Sequence, residues 1–240
     1  MALARDPIAR APGGDPVARA PGQYTRALAQ RLRMRTLLML GALAAETTVA
    51  GRRWGWHDPR FFGAEVGLLV AIFAISRWVL PLVERHDRGA AGEEQVGELL
   101  ADLEGWRVVH DASVARGNVD HIAIGPGGVY TVETKSHPGP IRVGRLHGKV
   151  LGQARAQRGA VETIVVEPVE PLVVYSRAWV DRPLSRRKGV RVVPARMLRG
   201  YLERQPRRLS DAEVERAHAR LADALSAAPE RSRRRWGSAE

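Results

Sequence analysis

The chain has 240 residues, no cysteine, and a formal net charge of +12 at neutral pH. The lack of cysteine excludes a disulfide framework, a thiolate zinc finger and a cysteine nucleophile. The positive charge favours a polyanionic partner, either nucleic acid or an anionic membrane surface, and the hydrophobic content of 45% is sufficient for a packed core in part of the chain.

The N-terminal region contains a nine-residue tandem repeat, DPIARAPGG at 6–14 followed by DPVARAPGQ at 15–23. It is rich in Pro, Gly and Arg, and has too little apolar surface to offset the entropy lost on ordering. We therefore predict a disordered arm over residues 1–30. We do not expect a secretory signal, because the first apolar run begins only near Thr36.

Two apolar runs follow, at 36–50 and 61–83. As a helix the second would be roughly 35 Å long, enough to cross a bilayer with some tilt. Trp54 and Trp56 lie in the connection between the runs, and aromatic residues of this kind are typical of a membrane interface. The pattern predicts a hydrophobic two-helix hairpin over residues 31–86, which anchors the chain in a membrane through 36–83.

Arginines are more frequent outside the predicted hairpin than in its connecting loop. This asymmetry predicts that both ends of the hairpin, and the domain that follows it, lie in the cytoplasm. The alternative is a soluble helical hairpin. Glu46, Glu65 and Arg77 favour that alternative, because charged side chains are unfavourable in lipid.

From Gly89 onward, helical and strand patterns alternate, which predicts an α/β domain over residues 89–225. Helices are expected at 91–104, 149–165, 195–204 and 210–225, and strands at 106–110, 172–175 and 190–193, with a β-hairpin at 120–135. Ser210 and Glu213 form a capping box that begins the last helix. Residues 226–240 are predicted to be a basic, disordered tail.

Positive charge is concentrated at 181–208, which contains ten Lys and Arg residues against Asp181 and Glu203. This segment is either a solvated, arginine-rich face or a patch that contacts phosphates. The sequence leaves both interpretations open.

The predicted hairpin turns at Gly125-Pro126-Gly127-Gly128, a strong turn sequence. If paired residues have numbers that sum to 253, Asp120 faces Glu133 and Lys135 shares their side of the sheet. A three-residue loop would pair residues that sum to 254 and would turn Glu133 away from Asp120. In the first register two carboxylates and an amine converge, which suits a hard divalent ion such as Mg²⁺. A separate alternative is that Asp120 ends a loop while Glu133 and Lys135 form an ordinary solvated strand end.

Lysine is rare in this chain: only three of its 38 basic residues are lysines, and one of them is Lys135. A lysine is a compact point charge, whereas arginine is a planar fork that stays protonated. The choice of lysine two residues after Glu133 therefore favours a specific role for its ammonium group.

Four segments together carry a family resemblance: GEEQVGELL, WRVVHD, NVDHIAIGPGGVYTVETK and GQARAQRGAVETIVV. They resemble the PD-(D/E)XK nuclease superfamily and, within it, the nuclease-related domain called NERD. The resemblance covers about residues 89–225 and is most specific over 117–135. It implies an α/β fold with a restriction-endonuclease-like core, a central mixed sheet flanked by helices, preceded here by the helical, transmembrane hairpin.

The resemblance also implies roles for individual residues. Asp120 and Glu133 would be the carboxylates that ligate the metal, and Glu93 on the preceding helix would complete the site. Lys135 would be the cation near the attacking water and the scissile phosphate.

Gln153 would be the glutamine that the family places on the following helix, with Gln157, one turn later, as the less suitable choice. The chain departs from the family pattern in two places. Val119 stands where the superfamily name has proline, and no aromatic residue follows Gln153 at four residues. Neither departure removes an implied ligand.

The implied function is that of a membrane-tethered nuclease that hydrolyses phosphodiester bonds of DNA with Mg²⁺ or Mn²⁺ and uses no small-molecule cofactor. Two alternatives are a non-catalytic nucleic-acid-binding module with the same fold and a membrane-tethered interaction module. His121, His137 and His147 have no ligand-like spacing, and we expect them to be ordinary surface histidines.

Overall fold

The computed structural model describes residues 19–55, 57–115 and 117–227. The chain divides into two compact units, one formed by Gly22–Ala91 and the other by Gly92–Glu240 together with Met1–Pro21. Most of the predicted arm, at 1–18, and most of the predicted tail, at 228–240, lie outside the described residues.

The first unit begins with helix α1, Gln23–Trp54, followed by α2, Pro59–Ala74. The start of α1 corrects the expected disorder at 23–30, where Ala, Leu, Gln and Arg, all good helix formers, directly follow the repeat. Helix α2 begins at a favourable cap, because the Asp58 carboxylate accepts a hydrogen bond of 2.7 Å from the Arg60 N–H and proline occupies the first helical position.

A π-helical turn, Ile75–Val79, joins α2 to α3, Leu80–Ala101. Proline at position 81 has no N–H to donate, and its ring would crowd the carbonyl of residue 77, so a wider turn is favoured there. The resulting helix runs from Pro59 to Ala101 without a break. The sequence predicted two separate elements ending and starting near Gly89, but one glycine costs a helix only about 1 kcal/mol.

This helix, Pro59–Ala101, is the one helix within the described residues that is long and apolar enough to cross a membrane. Little of its apolar stretch is buried. Helix α1 packs against α2, but it does not meet the same criterion of length and composition.

The second unit contains eight strands in two sheets. They are β1 Arg107–Val114, β2 Gly117–Gly125, β3 Gly128–Lys135, β4 Pro140–Ile141, β5 Val169–Tyr175, β6 Trp179–Val180, β7 Arg186–Arg187 and β8 Val190–Pro194. The main sheet has the order β1-β2-β3-β5-β8-β7, with antiparallel pairs at its two edges and parallel pairs β3-β5 and β5-β8 in its centre. A small parallel sheet pairs β4 with β6.

The helices of this unit are the end of α3, α4 Gly148–Val165, α5 Ala195–Glu203 and α6 Asp211–Ala227. Central strand β5 is buried on both sides: Leu172 and Val174 face the cluster that contains α3 and α5 residues, while Val173 faces α4. The mixed sheet therefore lies between two helical layers, and the expected α/β fold class is confirmed.

Candidate active site

The β2–β3 hairpin places the two carboxylates that the sequence singled out. Gly125 pairs with Gly128 and Ile122 with Thr131, so of the two registers left open by the sequence the hairpin has the one in which paired residues sum to 253. Glycine is required at 125, because a Cβ there would come within 2.1 Å of the Trp106 ring.

The regular pairing ends at His121 and Val132, one step before Asp120 and Glu133. Asp120 instead accepts a hydrogen bond of 2.7 Å on Oδ2 from the backbone N–H of Thr134. This bond holds the carboxylate beside the end of β3.

Glu133 is buried, with 3% of its surface exposed, and both of its carboxylate oxygens are occupied by donors. Oε1 accepts from Lys135 Nζ at 2.5 Å and from Gln153 Nε2 at 2.8 Å. Oε2 accepts from Gln157 Nε2 at 2.6 Å. A buried carboxylate is stable only when it is paired and hydrogen-bonded, and these three donors meet that requirement.

The burial of the two glutamines on α4 is the reverse of what the sequence-based ranking favoured. Gln153, the favoured candidate, is exposed, whereas Gln157 is buried and also donates a hydrogen bond of 2.8 Å to the Asn118 carbonyl. Both residues reach Glu133 because residues four apart share one face of a helix. The spacing was visible in the sequence, but the burial of Gln157 was not.

Glu93 lies close enough to influence Asp120. Burial raises the pKa of Asp120 well above its usual value, and the negative charges of Glu133 and Glu93 raise this pKa further, against the lowering effects of the Thr134 N–H and of Lys135. The structure therefore brings all five predicted site residues into one region.

Gly92 allows the helix that carries Glu93 to approach the ends of β3 and β5. A Cβ on Gly92 would lie 2.8 Å from Ser176 Oγ and 3.1 Å from Ser136 Cβ. The Gly-Glu pair at the start of the first motif thus combines a close-packing position with a charged position.

His121 differs from the expectation of a surface histidine, because it is completely buried. Its Nδ1 lies 2.8 Å from Nδ1 of His110 on the neighbouring strand. Burial first, and then the charge of His110, lower the pKa of His121 to about 3; burial also lowers the pKa of His110, which Asp111 partly opposes. Alternation along β2 turns this pair to the face opposite Asp120.

The donor chemistry fits a hard divalent cation. Three carboxylates, Asp120, Glu133 and Glu93, are close enough to raise the pKa of one of them, and Gln157 Oε1 is buried beside Glu133 with no hydrogen-bond partner within the described residues. In the conformation described, however, no group of three or more His, Asp or Glu side chains within 19–227 is arranged to hold a metal ion. Lys135 and the two glutamines occupy the Glu133 oxygens instead.

Comparison with known proteins supports the family resemblance. Residues 88–176 match the nuclease-related domain, NERD, so the resemblance read from the sequence is confirmed over that segment. The match contains Asp120, Glu133, Lys135, Glu93 and Gln153. No curated protein matches the chain.

Among solved structures, the chain is similar to a repair endonuclease from Pyrococcus abyssi. The likeness has 14% sequence identity and a TM-score of 0.28, and covers 52% of this chain and 47% of that one. The chain thus spans about half the length of the structure it matches, and at this TM-score the likeness carries no weight for site or function.

Proposed function

We propose that this protein is a metal-dependent nuclease that hydrolyses phosphodiester bonds of DNA and is tethered to a membrane. The observation that supports the proposal most is the cluster of Asp120, Glu133 and Lys135 at the end of the hairpin, inside the segment that matches a nuclease-related domain.

In this proposal Asp120, Glu133 and Glu93 would hold Mg²⁺ or Mn²⁺. When bound, such an ion acidifies a water molecule and stabilises the negative charge that develops on the phosphate. Burial first, and then repulsion from Glu133 and Glu93, raise the pKa of Asp120, and a cation bound among the carboxylates would offset both effects.

The protein's own residues would position the reaction. Gln153 and Gln157 orient the Glu133 carboxylate from α4 through hydrogen bonds of 2.8 and 2.6 Å. Lys135 is only part-buried, so its ammonium group can reach a phosphate oxygen while it remains beside Glu133. A compact cation at this point would stabilise charge on the scissile phosphate.

The test is cleavage of plasmid and linear DNA by the purified full chain in detergent, with Mg²⁺, with Mn²⁺ and with EDTA. The proposal requires cleavage with the metals and none with EDTA, and it requires loss of cleavage in Asp120→Asn. Cleavage of RNA but not of DNA would show that the substrate is RNA. If Asp120→Asn still cleaves, a contaminant is responsible for the activity.

A non-catalytic nucleic-acid-binding module is the second candidate. The observation that favours it is the occupation of both Glu133 oxygens by Lys135, Gln153 and Gln157, which leaves the acidic cluster satisfied without a metal. Salt-dependent DNA binding without cleavage would support this candidate. If the protein neither binds nor cleaves DNA, the result would favour a membrane-tethered interaction module.

The membrane tether is supported by the helix Pro59–Ala101. Several of its large apolar side chains, including Leu69, Val70 and Phe73, are more than half exposed, and an exposed apolar surface of this kind favours lipid. The arginine asymmetry favours a cytoplasmic location for the nuclease-related domain. Recovery of the full chain in the soluble fraction without detergent would remove the anchor from the proposal.

A further inference from the structure

A small parallel ladder lies immediately beyond the strands that carry the candidate site. Pro140 of β4 pairs with Trp179 of β6, five residues after Lys135 and four residues after Tyr175 respectively. Lys135 and Tyr175 are themselves paired, and the Ser176 N–H donates a hydrogen bond of 3.1 Å to the Lys135 carbonyl. Trp179 is therefore within about 14 Å of the end of β5, the reach of four extended residues.

Buried neighbours and hydrogen bonds fix the position of the ladder. Ala178 and Val180, on either side of Trp179, are buried in the cluster between α4 and the sheet. The Asp181 N–H donates to the Ile141 carbonyl at 3.0 Å, and the Asp181 carboxylate accepts from the Val143 N–H at 2.9 Å. A side chain that is exposed on this ladder is thus presented by an ordered backbone.

Trp179 is exposed over 58% of its surface. Within the described part of 92–227, only Val166 is another exposed large apolar residue, and no other aromatic side chain is exposed to this extent. The aromatic residues Trp106, Tyr130 and Tyr201 pack with one another in the interior instead. Trp179 is therefore turned outward, whereas Val180, the other residue of β6, is buried.

The two segments that carry this ladder are rich in positive charge. The segments 136–149 and 176–188, which contain β4 and β6, carry eight Lys and Arg residues and a single acid, Asp181. Asp181 is already engaged by the Val143 N–H. The exposed cations of the two segments are Arg142, Arg145, Lys149, Arg177, Arg182, Arg186 and Lys188. Of these, Arg186 is paired with Glu170 at 2.9 Å, and Arg182 lies 3.9 Å from the Asp181 carboxylate.

We propose that the β4–β6 ladder is a docking surface for unpaired nucleotides, with Trp179 stacking on a base and the neighbouring arginines contacting phosphates. The inference rests on the proposed nuclease function and narrows its substrate to single strands or frayed ends. A base offers its face to an indole only when it is not stacked in a duplex, and alternating aromatic and basic groups are the usual platform for single strands. The charge on this surface matches phosphate groups rather than an apolar partner.

The experiment measures binding of a labelled 20-nucleotide single strand, and of a blunt duplex of the same sequence, to the full chain in detergent with EDTA, by fluorescence anisotropy. Wild type is expected to bind the single strand more tightly. Trp179→Ala is expected to weaken single-strand binding about tenfold and duplex binding less than twofold, whereas Trp179→Phe retains most of the affinity. Arg182→Gln weakens binding to both probes and lowers the salt dependence.

A strand that contains 2-aminopurine gives a direct readout of stacking, because its fluorescence is quenched when an indole stacks on it. Quenching by wild type, but not by Trp179→Ala, supports the proposal. Val166→Ser and Arg216→Gln are matched controls, exposed positions away from the ladder, and should bind as wild type does.

Equal affinity of Trp179→Ala and wild type for the single strand overturns the proposal. The proposal is also overturned if Trp179→Ala loses binding to anionic vesicles but keeps its oligonucleotide binding, because that result would assign the surface to lipid. Because metal is absent from these measurements, their outcome is independent of plasmid cleavage by wild type. A failure of wild type to cleave DNA would therefore refute the proposed nuclease function but would not decide whether the ladder binds single strands.

Discussion

Gln157 donates one hydrogen bond to Glu133 Oε2 at 2.6 Å and another to the Asn118 carbonyl at 2.8 Å, so a single buried amide joins α4 to β3 and β2. Gln153, one turn earlier, reaches Glu133 from an exposed position. The two glutamines thus bind the same carboxylate, but only Gln157 does so from a buried position.

This difference predicts unequal losses of stability from two matched substitutions. Gln157→Leu removes the donor of a buried carboxylate oxygen, and we expect it to lower the free energy of unfolding by about 1–3 kcal/mol. Gln153→Leu should change stability by less than about 0.5 kcal/mol, because its position is exposed. Urea denaturation of both variants measures the difference. Equal destabilisation would contradict the separate roles given to the two residues.

Lys135→Arg conserves charge but not shape. We expect DNA cleavage to fall at least about tenfold, because a planar guanidinium cannot take the place of a compact ammonium beside Glu133. Single-turnover cleavage of plasmid measures the effect. Lys149→Arg is the control, since Lys149 is exposed in the first turn of α4, and it should cleave at the wild-type rate. Wild-type cleavage by Lys135→Arg would refute the role assigned to Lys135.

Asp120→Asn removes one of three mutually repelling carboxylates while its side-chain oxygen can still accept from Thr134. We therefore expect the variant to unfold at a Tm about 3 °C higher than wild type when no divalent metal is present. Mg²⁺ should raise the Tm of wild type and leave that of the variant unchanged.

Differential scanning fluorimetry in EDTA and in Mg²⁺ measures both effects. His137→Asn, at an exposed position after β3, is the control for general surface effects and should respond to Mg²⁺ as wild type does. A similar Mg²⁺ response in Asp120→Asn would place the bound metal away from Asp120.

The buried histidine pair predicts a loss of stability in mild acid. The folded-state pKa of His121 is about 3, below its ordinary value near 6.5, so the unfolded chain takes up a proton that the folded chain does not. Stability from this group is present above pH 6.5 and decreases as the pH falls toward 3. The contribution approaches about 1.4 kcal/mol per pH unit in this window.

His121→Gln should remove that part of the pH dependence. We expect the plot of unfolding free energy between pH 6 and pH 4.5 to be less steep for the variant than for wild type. Exposed His137→Gln is the matched control and should retain the wild-type slope. Parallel slopes for His121→Gln and wild type would mean that the pair is not kept neutral by the fold.

The sequence alone determined the local structure of this protein. Its periodicity gave α4, α5 and α6 to within two residues at each end, and the Gly-Pro-Gly-Gly turn limited β2 and β3 to two registers, because turn geometry and side-chain alternation are local properties. The choice of lysine at 135 and the spacing of Gln153 and Gln157 were also visible before any fold was known.

Only the tertiary structure decided between the two registers, since packing of Ile122 and Ile124 against the helical layer selects one face for the whole strand. The burial of His121 and Gln157 likewise depends on neighbours that are distant in the chain. The two-residue strands β4, β6 and β7 were missed, because so short a strand has no period of its own and exists only through its partner. For that reason the outward position of Trp179, on which the docking surface rests, could not be read from the residues around it.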